Sequence, residues 1–176
     1  MLSFFSRNNG NDIFVLVPAC QTREGARKII FMNRKMNFMG IVHAEIELIS
    51  GEDLILARQH IIGQEEIKKT RIRMLVDSGA YQMAINENIQ AYLNLPVLDR
   101  ERVLLADGSV AECDVVGPIE VRFANRRASC DAHVLPGDSE PLLGAIPMEQ
   151  MDVVIEMKRQ ELVVNPLHPE GAMHRI

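Results

Sequence analysis

A chain of 176 residues, 47% of them apolar, can bury one ordinary core, and it contains no run of about eighteen apolar residues that would span a bilayer. Its net charge of −5 is uneven: residues 1–38 carry +4 and residues 39–176 carry −9, so the main body lacks the basic surface that nucleic acid requires. Cys20, Cys113 and Cys130 are an odd set without zinc-ligand spacing, which argues for reduced thiols in a soluble, cytoplasmic protein and against a secreted disulfide framework.

IFVLVPAC (13–20) ends on a cysteine as a lipoprotein signal would, but its apolar part is short, abuts Asp12 and contains Pro18. A short strand or loosely packed segment is expected there, and residues 1–38 are read as an extension outside the main domain. Met32, Met36 and Met39 crowd the boundary, so translation from Met39 is a hypothesis that an intact mass including residues 1–38 would reject.

From Ile41 the pattern alternates. Val42, Ala44, Ile46 and Leu48 share one side and His43, Glu45 and Glu47 the other, which predicts a half-buried strand. Ser50 and Asp53 read as a capping box opening a helix through LILARQHII that Gly63 closes. After a charged connection, RIRMLVD predicts a strand with Ile72, Met74 and Val76 on one face. It runs directly into Asp77, where an ionised carboxylate buried without partners would be costly.

QMAI resumes extended structure after that turn, and Asn86 can cap a short helix ending near LNLP. RVLLA and VAECDVV flank Asp107-Gly108, a dipeptide suited to a tight hairpin. Gly117-Pro118 reads as punctuation, and IEVRFA and RRASCDAHVL pair around Asn125. PLLGAIPMEQM gives an apolar pair, a glycine and a short helix. DVVIEM and ELVVN make a last hairpin, and residues 168–176 are expected to be a loose tail. Short strands at regular spacing with brief helices predict a mostly-β closed or sandwich-like domain.

With these residues in order, the chain resembles the retropepsin-like aspartic proteases, small homodimeric enzymes related to the retroviral proteases, and residues 39–167 look like the short prokaryotic members of that clan. The resemblance is carried by LVDSGA, by the hairpin around ADGS, and by LLGAIPMEQMDVVI. It implies a retropepsin-like closed β-barrel (the acid protease fold) with short helices, an obligate homodimer, and a peptide or protein substrate. It further implies Asp77 as the catalytic residue and Ser78, Gly79 and Ala80 as the rest of the active-site turn. Ala106, Asp107, Gly108 and Ser109 would form a substrate-covering flap, and Leu142, Leu143 and Gly144 a supporting turn. VLLADGSVAE is poorer in glycine than the familiar flap, and Ser78 stands where threonine is commoner.

Acid proteolysis needs two carboxyl groups sharing one proton, and two like charges a few ångströms apart titrate separately. Asp107 is followed by Gly-Ser and Asp138 by Ser-Glu, so Asp77 has no second copy of its turn in this chain. The partner carboxylate would come from another subunit across a two-fold axis. No metal or organic cofactor, nucleic acid or membrane enters this scheme. His43, His60, His133, His168 and His174 show no HExxH spacing, and Ser78 lacks the GxSxG elbow of serine hydrolases. Asp-Ser-Gly is also an ordinary Asx-type turn. The atypical flap and the lack of any substrate signal make a dimeric peptide-binding or scaffold module of the same fold, with weak or no turnover, the alternative.

Overall fold

The computed structural model describes residues 40–104, 108 and 110–174. The elements run β1 (Val42–Ser50), α1 (Gly51–Arg58), β2 (Lys69–Val76), β3 (Met83–Asn86), α2 (Glu87–Leu93) and β4 (Val97–Leu104). There follow β5 (Val110–Phe123), β6 (Arg126–Leu135), β7 (Leu142–Leu143), α3 (Ala145–Met151), β8 (Val153–Glu156) and β9 (Glu161–Val164).

Seven strands form one sheet in the order β1-β2-β7-β3-β6-β5-β4, and β1 also pairs with β5. That extra pairing closes the first six positions into a ring, and β4 hangs on β5 outside it. Closure removes the free strand edges that would otherwise invite association, so β4 is the edge strand of this sheet. β8 and β9 form a separate hairpin. A mostly-β ring with short helices is the expected architecture, consistent with the acid protease fold.

Alternation decides which faces are buried. In β1, Val42, Ala44, Ile46 and Leu48 point into the core, and Met74 and Val76 of β2 join them with Ile72 partly buried beside them. Met83 and Ile85 of β3, Val116, Ile119 and Val121 of β5, and Met148 and Met151 of α3 complete the same cluster. Cys113 is buried, and Cys130 is half-buried against the core, in keeping with small packed residues.

Local signals place the short helices. The Asn86 side-chain oxygen accepts the Ile89 amide at 3.0 Å and starts α2, whose end falls at left-handed Asn94. Ser50 Oγ accepts the Asp53 amide at 3.3 Å to start α1, but the Asp53 carboxylate does not return the bond. It accepts the Lys68 amide at 2.9 Å instead, tying the start of β2 to the helix. α1 also stops at Arg58 and not near Gly63, because His60 takes φ of 59° and leaves the helical region.

Two further expectations change. Gly117-Pro118 does not interrupt the chain: β5 runs through it, with a register shift between Val116 and Ile119 that accommodates the proline within the ladder. Nor are the described residues of the tail loose. Asn125 Nδ2 donates to the Pro169 carbonyl at 2.9 Å, the Arg126 guanidinium donates to the His168 carbonyl, and the Met173 amide reaches Asp152 Oδ2 at 3.1 Å. Asp152 also takes Asn165 Nδ2 at 2.8 Å and the His168 ring at 2.7 Å, so residues 165–173 form a strap fastened to the C-terminal end of α3.

Candidate active site

β2 and β3 are consecutive in the chain, yet they do not pair with each other, because β7 lies between them. Leu75 and Val76 pair in parallel with Leu142 and Leu143, and Ala84 pairs antiparallel with Leu142. The segment from Asp77 to Gln82 therefore has to pass around the end of β7. This places the Asp-Ser-Gly-Ala turn directly against Leu142, Leu143 and Gly144.

The turn is held by backbone bonds on both sides. The Leu75 amide donates to the Pro141 carbonyl at 2.9 Å and the Asp77 amide to the Leu143 carbonyl at 3.0 Å. Within the turn, the Gly79 amide donates to Asp77 Oδ1 at 2.8 Å and the Ala80 amide to the Asp77 carbonyl at 3.2 Å. A Cβ on Gly79 would stand 3.1 Å from Asp77 Oδ1, so a bare α-carbon there leaves the carboxylate its space.

α3 supplies the other half of the clamp. A helix leaves its first amides without intrahelical acceptors, and a Ser, Thr, Asp or Asn side chain commonly takes one of them. Here the cap is Gly144, which has no side chain to do so. The Ala145 amide donates instead to the Ala80 carbonyl at 2.8 Å, and the Ile146 amide to the Tyr81 carbonyl at 3.1 Å. The turn caps the helix, and the helix fixes the turn. Ala145, Ile146 and Tyr81 were not among the residues singled out from the sequence, although a helix opening on glycine with no polar cap was the available signal.

Asp77 is not buried in the single chain. It is partly exposed, and Ser78 and Gly79 are exposed, because the chain leaves the ring at the last residue of β2. Oδ1 is occupied by the Gly79 amide, and among the described residues no Lys, Arg or His forms an ion pair with Asp77. The carboxylate thus sits on a rigid, solvent-facing turn. Tyr81, 74% exposed, stands beside it on the same segment.

Of the proposed flap residues, Gly108 is exposed with φ of 83°, a conformation natural to glycine. Ala106, Asp107 and Ser109 lie outside the described residues. The arms that carry them are β4 and β5, paired antiparallel up to Leu104 opposite Val110. His133 of β6 binds Glu101 of β4 at 3.0 Å across the intervening strand, and His43 binds Glu140 at 2.8 Å near the entry to β7.

The family model described as "gag-polyprotein putative aspartyl protease" matches residues 64–150. That span opens just before β2 and closes within α3, so it contains the Asp77 turn, β4, β5 and the Leu-Leu-Gly segment. Over these residues the chain is similar to a retropepsin-like aspartyl protease domain. No curated protein matches the chain.

Proposed function

We propose that this protein is an aspartic endopeptidase acting as a homodimer, with Asp77 of each subunit meeting across a two-fold axis. One ionised carboxylate withdraws a proton from a water, and the protonated partner donates to the scissile carbonyl, so the water adds to the peptide carbon as its oxygen gains the proton. Ser78 hydrogen-bonds to the opposing turn and keeps the carboxyl groups coplanar. Leu142, Leu143 and Gly144 set the position of the turn from beneath. The hairpin tip, residues 106–109, covers an extended peptide and pairs with its backbone by strand addition. No metal or organic cofactor is required, because the shared proton does the electrostatic work.

The observation that supports this reading is a lone Asp-Ser-Gly turn, clamped by backbone bonds, whose carboxylate is partly exposed and has no basic partner among the described residues. A single such group cannot act as base and acid in the same step, whereas two brought together can.

Sedimentation of the protein at micromolar concentration, combined with titration by a statine-type transition-state mimic and a peptide-library cleavage assay, tests the proposal. A dimer that binds one mimic per two chains and cleaves peptides is expected. A stable monomer overturns it, and a dimer that binds the mimic but cleaves nothing at any pH makes the protein a peptide-binding module instead.

A further inference from the structure

A cavity of about 450 Å³ opens far from Asp77, lined by Arg58 at the end of α1, Glu120 on β5, Arg127 and Ser129 on β6, Gln150 on α3, and His174. β1 measures the separation. Val42 pairs with Val76, next to Asp77, whereas Ile49 at the other end of the strand pairs with Glu120. At the ordinary rise of a strand, these ends lie about 23 Å apart.

The charges around this cavity do not cancel. Glu120 is buried, and Arg122 already neutralises it through Nε at 2.7 Å. Arg58 and Arg127 are exposed and have no carboxylate partner among the described residues. Gln150 Oε1 accepts the Ser129 amide at 3.2 Å, so the free end of that side chain is its NH₂ donor. The Ser129 hydroxyl adds another donor. His174 directly follows Met173, whose amide is fastened to Asp152, so the strap brings the imidazole to the cavity rim.

Donors and unpaired positive charge therefore converge in a cavity of a chain whose net charge is −5. Guanidinium groups with free forks match the planar oxygens of carboxylates and phosphates. The volume falls in the range of small-molecule sites, roughly 300–1,000 Å³. We propose that this cavity binds a small multivalent oxyanion, with Arg58 and Arg127 as its principal contacts and His174, Ser129 and Gln150 completing the donor set. The anion is either a phosphate monoester or a polycarboxylate; both present the same oxygen chemistry.

The test uses the full chain at low ionic strength, titrated separately with inorganic phosphate and with citrate by calorimetry, while the His174 ring resonances are followed by NMR. Saturable binding of at least one anion with movement of the His174 signals is expected, and the responding anion identifies the source. Arg58→Gln with Arg127→Gln should weaken binding at least tenfold without changing the melting temperature. If that double variant does not fold, His174→Ala, a change at an exposed residue, serves in its place and should weaken binding as well. Asp77→Asn should bind the anion as the unaltered protein does, which separates this site from the peptidase proposal. No saturable binding of either anion, equal binding by the arginine variant, or binding of an oligoglutamate peptide alone would overturn the inference.

Discussion

Gly144 and Gln82 meet backbone to backbone. A Cβ placed on Gly144 would stand 2.6 Å from the Gln82 carbonyl carbon and 2.9 Å from the Ala80 carbonyl oxygen, with no flexible side chain to yield. The contact lets α3 bring its first two amides onto the turn that carries Asp77. Gly144→Ala should therefore force the turn and the helix apart, costing about 1–3 kcal/mol as overpacking does. Urea denaturation should show a lower midpoint, and peptide cleavage should fall with it. An unchanged midpoint would mean that the turn and the helix can separate freely.

Asp77→Asn retains an oxygen able to accept the Gly79 amide, so the turn should keep its shape. What it loses is the carboxylate to which the proposed mechanism assigns the shared proton. Cleavage should drop by at least about 10²-fold, the scale on which a general acid or base acts, while circular dichroism and sedimentation stay unaltered. Residual activity near that of the unaltered protein would remove Asp77 from the mechanism.

Acid stability should depend on Asp152. The Asn165 amide, and after it the His168 ring, hold its carboxyl at about 2, below the ordinary 3.8. A folded value below the unfolded one contributes stability that is complete above 3.8 and disappears as pH falls through about 2. Asp152→Asn should melt at a lower temperature than the unaltered protein near neutral pH, and the gap should close as the pH approaches 2. A gap that stays constant over that range would show that the strap is held by something else.

The thiols should be slow to react. Burial, with Asp131 adding to it, pushes Cys130 up to about 12, and burial followed by Asp114 raises Cys113. Thiolate is the nucleophilic form, so alkylation at mildly alkaline pH should be minor at both positions and become fast in denaturant. Peptide mapping after labelling reads Cys113 and Cys130 separately from Cys20. Rapid native labelling at Cys130 would contradict its burial.

Where side-chain pattern decides structure, the sequence was readable. The period of two in β1, the Asn86 cap and the hairpins around Asn125 and Lys158 are all written in consecutive residues. Where a distant backbone decides, it was not. α1 ends early through the conformation of His60, and Asp53 turns to Lys68 and away from its own helix. The tail looked loose because its polar composition does not reveal that Asp152 and Arg126 would anchor it.

The candidate site divides along the same line. Asp77, Ser78 and Gly79 could be picked out as a turn with chemical potential, whereas the carbonyls of Ala80 and Tyr81 that engage α3 carry no side-chain signature. The exposure of Asp77 in the single chain has no side-chain signature either. Apolar neighbours suggested burial, but the residue falls where the chain leaves the ring, and hydropathy along a strand does not report that exit.

The smallest strand has the largest effect on timing. Leu142 and Leu143 complete the ring between β2 and β3, and they are made long after both. A nascent polypeptide that has released everything up to β6 from the ribosome still lacks an acceptor for the Asp77 amide and donors for the Ala80 and Tyr81 carbonyls. The geometry that orients the carboxylate is thus withheld until synthesis has passed Ile146, and a growing chain cannot carry the clamped Asp77 turn before the start of α3 has been made.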